Sequence, residues 1–148
     1  MQYTYPLDDL EDGLPEPTEE EVRAQLADWQ QRLDDLFASI KGWATARGWR
    51  IESQEPVVMQ DDRLERFGLD PVLMESFMLH APEGGKVWVK PKALWVIAAN
   101  GRVDFLGTNG VYVVFDRAES LAPPEWKCHR VGRGPILPFE PDMIAKMA

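Results

Sequence analysis

The sequence predicts an α+β domain: a long N-terminal amphipathic helix packed on an antiparallel β-sheet meander of about five to six strands, closed by a short C-terminal helix. Three observations carry this. Apolar residues recur at helical spacing from Val22 to Trp43. Short alternating segments separated by Gly, Pro and Asn follow from residue 50 onward. PDMIAKM, residues 141–147, reads as a terminal helical turn. A chain of 148 residues suits one domain, so residues 18–148 are read as a single α+β unit.

Residues 1–17 are set apart as an acidic arm. Pro6, Pro15 and Pro17 oppose helix formation, and Asp8, Asp9, Glu11 and Asp12 oppose burial. Tyr3, Tyr5, Leu7, Leu10 and Leu14 give the arm apolar groups that can dock on the body or on a partner; the alternative is a solvated terminus. The net charge is −9, yet residues 1–22 hold eight acids and no base, and the rest of the chain carries 17 acids against 16 bases. The acidity is therefore terminal. This argues against a mimic of nucleic acid, which spreads its charge over the fold, and the lack of a basic stripe argues against direct nucleic-acid binding.

The helix opens at Thr18, with Glu21 completing a capping box, and stops at Gly48. Val22, Leu26, Trp29, Leu33, Leu36, Ile40 and Trp43 are spaced alternately by four and three, a heptad seam widened by Phe37. The seam packs on the chain's own sheet or, as the alternative, forms an intermolecular coiled coil. Gly42 is a place where so long a helix can bend.

Residues 50–59 are expected as a strand broken at Pro56, and 61–68 as a short helix opened by Asp61 and closed by Gly68. A strand follows at 71–80, with a helix over MESFML as the alternative, and, after the turn APEGG, another at 86–90, with Pro91 marking a bulge or an edge. Asn100-Gly101 is a strong hairpin signal and predicts strands at 93–99 and 102–106; GTNG, residues 107–110, turns the chain into a strand at 111–116. Side chains alternate along strands. Pairing Ala99 with Arg102 then places Leu94, Val96, Ala98, Val103, Phe105, Tyr112 and Val114 on one face, toward the helix. The other face receives Trp95, Ile97, Ala99, Arg102, Asp104, Leu106, Val111, Val113 and Phe115. Both faces are mainly apolar, whereas a half-solvated sheet alternates with polar residues. The second face thus calls for a cover, whether the C-terminal segment, the N-terminal arm, a second subunit or another protein, and Trp95, Ile97, Arg102, Asp104, Leu106, Val113 and Phe115, with the acids Asp8, Asp9, Glu11 and Asp12, are the expected partner-binding residues.

Signals for catalysis are few. Cys128 and His129 are adjacent on WKCHRV, residues 126–131, so on a strand they point to opposite faces and form no nucleophile–base pair. Cys128 is expected inward with Trp126, and His129 outward with Lys127. A small enzyme with a site built around Cys128, His80 and Asp104 is the alternative. One cysteine and two distant histidines supply no metal-ligand spacing, and neither a metal nor a cofactor is expected. Asp34-Asp35 is expected to be solvated. EGGK and GRGP lack the spacing of a phosphate loop.

The stretch VYVVFDRAESLAPPEWKC, a sheet meander leading through a proline pair into another strand, resembles ubiquitin-conjugating folds and their catalytically inactive relatives, as does the long preceding helix. That family places its nucleophilic cysteine well beyond the proline pair, after a His-Pro-Asn motif. No cysteine follows Cys128 and no such motif occurs, so the resemblance implies at most a non-catalytic scaffold.

The N-terminus has no basic segment followed by an apolar one, and no run of about 18 apolar residues occurs, so neither a secretory signal nor a membrane span is expected. With a single cysteine, a cytoplasmic setting is expected. The functional expectation is a non-catalytic protein-binding module, an inhibitor, an immunity or antitoxin-like protein or an accessory subunit, whose partner has a basic surface. Six tryptophans supply potential interface anchors. A structural homo-oligomer, such as a homodimer, is the further alternative.

Overall fold

The computed structural model describes residues 16–95, 100–118, 121–132 and 134–148. Its first element, α1 (Glu19–Ala46), is an unbroken helix of 28 residues that passes through Gly42, about 42 Å long at 1.5 Å per residue. The capping box forms in both directions: Glu21 N donates to Thr18 Oγ1 at 3.1 Å, and Thr18 N donates to Glu21 Oε1 at 2.9 Å. Glu19, Glu20 and Glu21 sit at the positive end of the helix dipole. The helix ends at Arg47, and Gly48 leaves it with φ +76°.

The seam of α1 is spent inside the molecule. Val22, Trp29, Leu33, Leu36, Phe37 and Ile40 are buried, and Leu26 and Trp43 are half-buried at its margins. Among the described residues they face an antiparallel sheet of seven strands whose spatial order equals their chain order. The strands are β1 (Arg50–Met59), β2 (Val72–His80), β3 (Lys86–Ala93), β4 (Arg102–Gly107), β5 (Gly110–Asp116), β6 (Trp126–Arg130) and the two-residue β7 (Leu137–Pro138). Strand β1 survives Pro56 because its register slips between Gln54 and Val57, which leaves the proline outside the ladder. A second slip between Pro91 and Ala93 lets β3 run past Pro91.

Between β1 and β2 lies α2 (Asp62–Arg66), capped by Asp61, whose Oδ1 accepts from Arg63 N at 2.8 Å. A 3₁₀ turn (Pro141–Met143) and α3 (Ile144–Met147) end the chain, and Ile144 and Met147 are fully buried beside α1 and the sheet. Phe37 of α1 meets Phe77 of β2 edge to face at 5.0 Å, at the centre of the core with Leu79, Val87, Val89, Val103, Phe105 and Val114. Each such side chain contributes roughly 1.5–3 kcal/mol by leaving water.

One expected pairing is corrected. Arg102 lies opposite Ala93 of β3 on one side and opposite Phe115 of β5 on the other. Both edges of β4 are therefore occupied, and a hairpin joining 93–99 to 102–106 does not form. The partner of β4 is the strand through Trp88, extended to Ala93. Leu94 and Trp95 leave the sheet, and residues 96–99 lie outside the described residues. Gly101 does take positive φ, at +108°, but for a packing reason: the indole of Trp29 lies where a Cβ would stand.

Candidate functional site

The alternation that sends Val103, Phe105 and Val114 toward α1 sends their neighbours to the far side of the sheet. Three cross-strand rows form there. Glu52, Met78, Trp88, Leu106 and Val111 make the first, Lys90, Asp104, Val113 and His129 the second, and Arg102, Phe115 and Lys127 the third. Helices α1 and α3 pack on the opposite face, so no helix among the described residues covers these rows. Most of the side chains are half-buried, and Val111 is 39% exposed. An apolar band thus crosses the centre of the sheet with polar groups at its margins, the composition of a contact surface.

The polar groups are specific. Trp88 Nε1 donates to Ser76 Oγ at 2.6 Å, which ties the edge of the indole to a buried serine. The Lys90 ammonium sits 4.7 Å from that ring's centroid, and the Arg117 guanidinium 5.4 Å from that of Phe115. Arg102 Nε donates to Asp104 Oδ1 at 2.8 Å. With Lys127 opposite Phe115, the band is bordered by four cations and by two carboxylates, Asp104 paired with Arg102 and Glu52, opposite Met78, paired with His80. At the β1 corner, His80 Nε2 lies 2.8 Å from Glu52 Oε1, and this hydrogen bond lowers the Glu52 pKa.

Of the residues expected to bind a partner, Arg102, Asp104, Leu106, Val113 and Phe115 share this face. Trp95 does not. It sits beyond the end of β3 under the Arg63 guanidinium, 4.7 Å from its centroid, and Arg63 is tied to Gln25 of α1 at 3.0 Å. Ile97, Asp8, Asp9, Glu11 and Asp12 lie outside the described residues. Met78, Trp88 and Lys90 were missed by sequence reasoning. Their signal was the alternation of KVWVK, which becomes informative only once Trp88 is set opposite Leu106.

Cys128, His80 and Asp104 are not brought together. His80 stands on β2 and Cys128 on β6, four strands away, and they point to opposite faces. Cys128 faces the helix layer beside Val114 and is 3% exposed; burial pushes its thiol up to about 11, so it remains protonated and poorly nucleophilic. It lines an apolar groove of about 270 Å³ with Tyr112, Arg130, Leu137 and Met143. His129 points to the open face, as its strand position predicts.

A buried ionic clasp also escaped sequence reasoning. Arg32 donates from Nε to Asp28 Oδ2 at 2.8 Å, from Nη1 to Asp116 Oδ2 at 2.6 Å, and from Nη2 to the Ala122 carbonyl. Asp116 Oδ1 accepts from Ala118 N at 3.0 Å and Glu125 N at 2.8 Å. Asp28 Oδ2 also accepts from Leu121 N at 3.2 Å. The group ties α1 to the connection between β5 and β6. Its satisfied hydrogen bonds mark it as a structural fastening, in contrast to an acid and base held in differing environments.

Among the described residues no cluster of three or more His, Cys, Asp or Glu could hold a metal ion, and no helix is long and apolar enough to cross a membrane. Comparison with protein-family models, characterised proteins and solved structures finds no match.

Proposed function

We propose that the chain is a non-catalytic protein-binding module, acting as an inhibitor, an immunity or antitoxin-like protein or an accessory subunit, and that it seats a partner protein on the open sheet face. The observation that carries this reading is the apolar band of Met78, Trp88, Leu106, Val113 and Phe115, left uncovered by the helices. Trp88 is a suitable anchor, because its bond to Ser76 holds the ring in place before contact and lowers the entropy cost of ordering it. The cations bordering the band favour an apolar patch with an acidic rim on the partner. The acids of the arm favour a basic surface elsewhere on the same partner. A cytoplasmic setting belongs to the same proposal, supported by the single free thiol.

Affinity capture from the native source, comparing the natural chain with Val113→Glu, tests the reading. A stoichiometric protein retained by the natural chain, lost with Val113→Glu and kept by Leu121→Glu, an exposed position elsewhere, is the expected result. No stoichiometric protein, or one retained equally by all three, refutes it.

A further inference from the structure

We propose that the acidic arm of this same chain, residues 1–15, is the resident occupant of the open sheet face, so that a partner must displace it. This deepens the protein-binding reading and rests on it for the identity of the face.

The face and the arm are complementary in two respects. The face needs apolar groups for its central band and anions for its border. Lys90 and Arg117 stack on aromatic rings, Lys127 flanks Phe115, and Arg102 is the one of the four paired to a carboxylate within the band. The arm offers that composition within one short segment: Tyr3, Tyr5, Leu7 and Leu10 interleaved with Asp8, Asp9, Glu11 and Asp12, and no base among residues 1–22. Few other stretches of the chain combine apolar anchors with four acids and no cation. The body is near neutral overall, but on this face four cations outnumber the carboxylates Asp104 and Glu52, a local surplus that an anionic segment complements.

The arm also leaves from a suitable place. Glu16, its first described neighbour, is held by Arg66 of α2 at 3.3 Å, and α2 joins the edge strand β1 to β2. The arm therefore departs from the end of the sheet where Met59 of β1 lies beside Val72 of β2. Fifteen residues reach roughly 50 Å when extended. The whole seven-strand sheet is only about 29 Å across at ~4.8 Å per strand interval. Rounding that end of the sheet and lying across β3 to β5 is well within reach. Tethering then raises the local concentration of arm at the face, so even a weak contact is populated. A partner competes with a segment that is always present, and the released acids become available to its basic surface.

The test uses the full chain with no partner present. Gly13→Cys is labelled with a nitroxide; the buried, protonated Cys128 leaves that position as the reactive thiol. Amide signal loss caused by the nitroxide is then mapped by NMR. The proposal expects loss at Trp88, Leu106 and Val113, independent of protein concentration and diminished by salt. The loss should vanish in the charge-reversed face Lys90→Glu/Lys127→Glu. If that variant fails to fold, the arm variant Asp8→Asn/Asp9→Asn/Glu11→Gln/Asp12→Asn must remove the effect without touching the sheet. Signal loss nowhere, or confined to the helix side, overturns the proposal. So does loss seen only on an unlabelled copy mixed with labelled protein, which would place the arm on a second molecule. Any of these results leaves the partner reading to be judged by its own capture experiment.

Discussion

Replacing Asp116 by Ala should be among the most damaging single changes in this molecule. The carboxylate is wholly buried and its partner Arg32 is 4% exposed. Its loss strands a buried guanidinium, which costs about 3–5 kcal/mol when the pair cannot relax. It also removes the acceptor for the Ala118 and Glu125 amides, each worth about 1–3 kcal/mol if left dry. Two circumstances temper the sum: Arg32 keeps Asp28 and the Ala122 carbonyl, and the connection beyond Asp116 can open its amides to water. The expected loss is about 4 kcal/mol. Arg32→Met should cost about 3 kcal/mol, because it leaves the buried carboxylate with its amide donors alone. The double variant should fall short of additivity by at least ~1 kcal/mol, since the second change removes a charge already stranded. Urea unfolding followed by tryptophan emission measures all three. A loss below ~1 kcal/mol for either single variant, the value of an exposed ion pair, would refute the assignment of this group as a buried clasp. So would additivity within ~0.5 kcal/mol.

Three other outcomes follow from the geometry. Gly101→Ala should cost about 2–4 kcal/mol in the same assay, combining a strained positive φ with a methyl group forced onto the Trp29 indole; a neutral effect would show that Trp29 does not sit there. Cys128 should resist a thiol reagent at pH 8 in the native protein and react fully in denaturant. Because its folded pKa is raised from 9.0 to about 11, the stability it contributes is present below pH 9 and lost as pH rises through 11. Glu52 should titrate by NMR below the ordinary 4.5, held down by the hydrogen bond from His80. Its contribution is present above 4.5 and lost as pH falls through the lowered value, and His80→Gln should return the midpoint toward 4.5.

Where a local pattern has one physical outcome, the sequence was informative. Thr18 and Glu21 cap α1, Asp61 caps α2, and Pro91 lies at a slip in β3. The separation of Cys128 from His129 likewise follows from strand alternation alone. Asn100-Gly101 suggests a hairpin because that dipeptide permits one. The positive φ is real, but whether a turn joins neighbouring strands depends on competition for the β4 edge, and β3 wins that edge with a run from Val87 to Ala93. The same competition takes Trp95 off the sheet, while the GTNG turn between β4 and β5 fixes the face of Leu106, Val113 and Phe115. The Arg32 clasp was not legible. Asp28 and Arg32 resemble a solvated pair one helical turn apart, and only the return of Asp116 from 84 positions away buries them.

A sheet whose spatial order repeats its chain order has a kinetic consequence. Every strand finds its partner in the segment made just before it, so loop closure is cheap at each addition and the sheet can grow hairpin by hairpin. The leading helix is different. Its bonds from Arg32 to Asp116 and from Trp43 to Asp142 reach strands and turns near the opposite end of the chain. These contacts close the largest loops and belong late on the folding path. Substitutions in the clasp should therefore leave the folding rate nearly unchanged and express their cost as faster unfolding.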